Sequence, residues 1–145
     1  MTHPMITERL AEAVAHWTEG RHGEAQEALA NIARTGTPSL MYGVATELGV
    51  MAKAALAKVR GLDGETSSWI ILTSNGSRPE DIVPTPHIFA ARFITAFANG
   101  DSATTLALYG AAFTAPDPEL LPACMEMLLA ATGEAVRAAT PGANR

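Results

Sequence analysis

The sequence predicts an all-α fold: an array or bundle of about six or seven helices arranged as helical hairpins. Apolar residues recur at steps of three and four through most of the 145 residues, which is the period of a helix with one buried face. Helix-start signals also recur, as Thr37-Pro38, Thr85-Pro86 and the acidic equivalent Asp117-Pro118-Glu119. One short β-favouring run, Ser67 to Thr73, has no second run to pair with, and a lone strand is not stable by itself.

The first predicted helix spans residues 6–19, with Ile6, Leu10, Ala13, Val14 and Trp17 on one face, and Gly20 ends it. The break Gly20-Arg21-His22-Gly23 leads into a second helix whose stripe is Ala25, Ala28, Leu29 and Ile32. Its early acids, Glu24 and Glu27, suit the positive end of the helix dipole. From Pro38 to Arg60 the positions Met41, Val44, Leu48, Met51, Ala55 and Val59 form a third face, closed by Gly61. Helices resume at 86–99 (Ile88, Phe89, Phe93, Ala96, Phe97), 102–115 (Leu106, Tyr109, Ala112, Phe113) and about 118–139 (Leu121, Cys124, Met125, Leu128, Thr132, Val136). Pro122 is expected to kink the first turns of the last one. The organisation is one helical domain, 1–140, with an irregular insertion at 62–84 and a frayed tail at 141–145.

The composition narrows the function. Hydrophobic residues make up 48% and charged ones 17%, a low charge content that points to apolar surface covered by another molecule. The net charge is −5, with residues 1–60 balanced at six basic and six acidic and 61–145 carrying four against nine. Phosphate backbones are held by accumulated Lys and Arg, so nucleic acid is not the expected partner. The one cysteine, Cys124, lies in an apolar helical stripe and reads as a structural side chain in a reducing setting. No signal-like N-terminus precedes the first helix, and no apolar run approaches the ~18 residues of a membrane span, so a cytoplasmic location is expected.

Catalytic and metal motifs are weak. His3, His16, His22 and His87 show no i,i+4 pairing, although His16 and His22 straddle a turn and could approach each other. The carboxylate pairs Glu8/Glu12, Asp63/Glu65 and Glu80/Asp81 read as solvated surface, and no glycine cluster has phosphate-loop spacing. No cofactor is implied, and the chain is read as leaning away from enzymes.

The most informative feature is an absence of charge. Between Ile82 and Pro116 the only formally charged residues are Arg92 and Asp101, and helix 102–115 has none. Such a helix is either the buried centre of a domain or part of a subunit interface. The expectation is a homodimer contact from residues 86–139, anchored by Phe93, Phe97, Tyr109 and Phe113, in a non-enzymatic module that binds a protein partner or itself. The alternative is a small-ligand-binding protein or enzyme with a pocket between residues 62–87 and helix 86–99, drawing on Trp69, Arg78, His87 and Arg92. Arg92, Thr95 and Asn99 form one polar line on that helix, read first as its wet edge.

Two stretches also resemble the mid-repeat turn and second helix of a tetratricopeptide repeat. Gly20, His22, Ala25, Leu29 and Ile32 stand at the places where that pattern has Gly, a ring and alternating small and large apolar residues. Gly100, Ser102, Thr105, Tyr109 and Ala112, followed by Pro116, align with them. The resemblance covers residues 6–34 and 86–116 and implies helical hairpins presenting a concave, non-catalytic surface to peptides or partner proteins.

Overall fold

The computed structural model describes residues 3–60 and 85–139, and within them the chain is all-α. Six helices run in order: α1 His3–Thr18, α2 His22–Thr35, α3 Pro38–Arg60, α4 Thr85–Ala98, α5 Ser102–Thr114 and α6 Leu120–Ala139. The β-favouring run 67–73, the rest of the 62–84 insertion and the tail lie outside the described residues.

Two of the connections are the same device. At the end of α1, Gly20 takes φ 84°, Gly20 N–H donates to the Trp17 carbonyl at 3.0 Å, and Arg21 N–H reaches back to His16 at 2.8 Å. At the end of α4, Gly100 takes φ 73°, with Gly100 N–H on Phe97 at 3.0 Å and Asp101 N–H on Ala96 at 2.9 Å. Both are Schellman caps, which use a left-handed residue to satisfy the last carbonyls and reverse the chain. The shared turn explains why these two stretches align with each other. Thr37 caps its helix as read, Oγ1 accepting from Leu40 N–H at 3.2 Å, whereas Thr85 is itself the first residue of α4, and Asp101, not read as a cap in the sequence, caps α5 by accepting from Thr104 N–H at 3.1 Å. The Thr104 hydroxyl, donating at 2.5 Å, and then the Thr104 amide hold the Asp101 carboxyl below its ordinary range.

α6 is the hub, packing on α1, α3, α4 and α5, while α2 lies against α1 on the outside. Its buried residues Cys124, Met125, Leu128, Leu129, Thr132, Gly133 and Ala135 leave little of its circumference open. They meet Leu10 and Val14 from α1, Leu48 and Ala52 from α3, and Phe93 from α4 in one core. Two sequence expectations change here. The last helix begins at Leu120, not 118, so Pro122 is its third residue, where an amide has no intrahelical acceptor anyway. The ladder starts just after it, with Ala123 N–H on the Glu119 carbonyl at 3.1 Å. The first turn of α2 holds Glu24 but not Glu27.

α3 also departs from expectation. Its segment Ser39–Lys58 is long and apolar enough to cross a membrane by length and composition, with a mean hydropathy of 1.2. Packing inside the chain uses that apolarity: Val44, Ala45, Leu48, Ala52, Ala55 and Leu56 are all buried in the common core. Thr132 ties α6 to the same helix, its hydroxyl donating to the Leu48 carbonyl at 3.3 Å.

Candidate interaction surface

α5 is bound to the domain by the buried stripe Thr105, Tyr109 and Ala112, which steps by four and three, with Leu108 packed beside it. Thr105 Oγ1 donates to the Ser102 carbonyl at 3.0 Å, so the 2.9 Å bond between Thr105 and Tyr42 of α3 must be donated by the Tyr42 hydroxyl. The Tyr42 and Tyr109 rings meet edge to face at 5.4 Å, fixing the side of α5 that faces inward. Burial pushes the Tyr109 phenol upward in pKa.

Inward placement of Thr105, Tyr109 and Ala112 forces the remaining apolar residues outward. Ala103, Leu106, Gly110 and Phe113 step by three, four and three along the side adjoining that stripe, with Phe113 one turn from Tyr109. Leu106 is 57% exposed and Phe113 50%. The Phe113 ring lies parallel to Tyr109 at 6.3 Å, so it stands on the core rather than in it. With Ala107 and Ala111 also exposed, this outer face carries no formal charge along the whole helix. Among the described residues, α5 is therefore not a buried centre.

The expected aromatic anchors separate accordingly. Phe93 is completely buried and stacks on Phe89 at 5.6 Å, and Tyr109 is buried under α5; neither can touch a partner. Phe97 is half-buried because Gly49 of α3 admits it: a Cβ on Gly49 would stand 2.8 Å from Phe97 Cγ. Of the four, only Phe113 presents its ring to solvent, and Leu106, read from the sequence as core-facing, joins it. Within 86–139 the exposed large apolar residues are Leu106 and Phe113, both on α5, while the exposed residues of α4 and α6 are mostly polar or charged.

For the ligand-pocket alternative, Trp69 and Arg78 lie outside the described residues. His87 and Arg92 are both exposed on α4, but five residues apart they point about 140° from one another around the helix. Thr95, on the polar line with Arg92 and Asn99, returns its hydroxyl to the Ala91 carbonyl at 2.8 Å, as a residue on a wet edge does.

Sequence reasoning missed a polar cluster where α1 and α2 meet α6. Trp17 Nε1 donates to Glu134 at 2.7 Å, and its ring stacks on His22 at 3.8 Å. The indole is seated on Gly133, where a Cβ would come within 2.5 Å of Trp17 Cγ and 2.8 Å of its Cβ. His16 is engaged elsewhere, accepting from Arg21 Nε at 3.1 Å, with Glu24 3.5 Å away. The two histidines therefore serve different contacts. The only sequence signal for this seat is a glycine inside a helix.

Two open grooves also cut the described surface. One, of about 240 Å³, runs between α1 and α2 and is lined by Arg9, Glu12, Glu24 and Glu27. The other, of about 250 Å³, is apolar and lies between α2 and the starts of α3 and α6, with Leu29, Met41, Leu121 and Met125 in its walls. Cys124, beside that wall in sequence, is itself buried, and burial pushes its thiol up to about 11, which keeps it in the unreactive protonated form at neutral pH. Comparison with family models, with curated proteins and with solved structures returned no match.

Proposed function

We propose that the protein is a non-enzymatic interaction module that works through a helical surface and forms a homodimer through the outer face of α5. One observation carries this: a helix without a single formal charge holds Leu106 and Phe113 about half in water. An apolar stripe on an outer helix is what a covered interface looks like when one partner is removed. The likeness of the hairpins to tetratricopeptide repeats, and a cytoplasmic setting suited to a lone reduced cysteine, belong to the same proposal.

The magnitudes set how strong such a contact is. Finishing the burial of a half-exposed Leu or Phe is worth about 1 kcal/mol, so two copies of each side chain supply about 4 kcal/mol. Alanine contacts along the face add to this, while association costs at least a similar amount. These terms nearly cancel, so the dimer is weak and reversible: a Kd of about 1 mM already needs about 4 kcal/mol net.

Sedimentation velocity tests it. The native chain is expected to pass from the 15.2 kDa monomer to a dimer as concentration rises towards the millimolar range. Leu106→Glu and Phe113→Glu, each on an exposed position, should remain monomeric while keeping a native helical circular dichroism spectrum. A dimer that survives both substitutions would show that α5 is not the contact.

A further inference from the structure

Resting on that homodimer, we infer its geometry: α5 packs antiparallel on α5 of a second copy, about a two-fold axis level with residue 108, with Leu106 seated in the notch at the partner's Gly110. In such a pair, positions equidistant from 108 oppose each other. Residues 106 and 110 lie two places to either side, and 103 and 113 lie five. Each large exposed residue thus meets a small one: Leu106 meets the partner's Gly110, and Phe113 meets the partner's Ala103. A parallel two-fold would instead set Leu106 and Phe113 on their own copies and leave gaps at the small positions, which close packing disfavours.

Gly110 supplies an independent argument. Glycine inside a helix lowers helix stability relative to alanine, so its presence calls for a close neighbour. Gly49 and Gly133 have theirs in Phe97 and Trp17, whereas a Cβ on Gly110 would meet nothing within 4 Å in its own chain. Its backbone φ is not in the left-handed region either. Gly43 on α3 and Gly23 in the first turn of α2 share that open space, but the exposed apolar residue on the face of Gly43, Val50, is two turns away, and α2 carries no exposed large apolar residue. Among the described residues, only at Gly110 does a notch sit one turn from an exposed leucine.

Charge selects the same partner. Two chains of net charge −5 repel over most of their surfaces, and in a two-fold contact a charged residue near the axis faces its own sign. α5 has no charge to place there, and antiparallel helices align their dipoles favourably. A second copy of this chain therefore fits the face better than a partner chosen for complementary charge.

The test is an exchange of knob and notch in the full chain, read by sedimentation equilibrium. Gly110→Leu fills the notch and Leu106→Gly removes the knob, and each should weaken dimerisation by about tenfold or more. The double variant L106G/G110L moves the knob to position 110 and the notch to position 106, so each again faces the other across the axis. It should recover affinity to within about threefold of native. Phe113→Ala with Ala103→Phe repeats the exchange at the outer layer, should L106G disturb the helix. A double variant as weak as its singles, or a G110L protein that dimerises like the native one, would overturn the antiparallel register. If those results come from a chain that still dimerises and still loses the dimer on F113E, homodimerisation through α5 stands without this geometry. A native chain that stays monomeric at every concentration overturns both.

Discussion

Replacing Leu48 by alanine is expected to lower the unfolding free energy by about 2–5 kcal/mol, the usual range for a buried leucine. Leu48 sits completely buried in the middle of α3, in the core that includes Leu128 and Thr132 of α6. Its backbone carbonyl also accepts the Thr132 hydroxyl, so collapse around the vacated space is resisted by a hydrogen bond across the most extensively packed pair of helices. Urea denaturation followed by helical ellipticity measures it. With a slope of about 2 kcal/mol per molar for a domain of this size, the midpoint should fall by roughly 1–2.5 M. A shift under about 0.3 M would mean that this part of α3 is not core.

Gly133→Ala is the second large effect, and its sign distinguishes two opposing terms. Helix propensity alone favours alanine over glycine by about 1 kcal/mol. Against that, the new methyl would be forced into the Trp17 indole, which is stacked on His22 and held at its nitrogen by Glu134. Overpacking of this kind costs about 1–3 kcal/mol, and moving the indole also breaks the Glu134 bond. Net destabilisation of about 1–2 kcal/mol is expected, together with a change in Trp17 fluorescence. A Gly133→Ala protein more stable than native would show that the indole does not rest on this glycine.

Most of the helices could be read from the sequence because their faces contrast. In α1, α2 and α3, acids and bases mark the wet side, and Leu10, Leu29 and Leu48 fall on the buried side where the three-and-four spacing puts them. α5 offers no such contrast. With no charged residue in it, the stripe Leu106, Tyr109, Ala112 and Phe113 reads as inward as any other, yet the buried stripe runs through Thr105. A threonine goes inside because its hydroxyl finds both the Ser102 carbonyl and Tyr42, a partner 63 residues away that no local pattern announces. The same holds for Trp17, whose bond to Glu134 spans 117 residues. The candidate surface was thus legible as an uncharged helix, while the identity of its outward residues depended on tertiary contacts.

Amide hydrogen exchange as a function of protein concentration tests most directly whether α5 is where two copies meet. As the chain passes from monomer to dimer, the amides of Ser102–Thr114 should gain protection in proportion to the dimer fraction, while α2, which packs mainly on α1, should not change. Exchange in α5 that is independent of concentration, with protection appearing on another helix instead, would contradict an interface on this face.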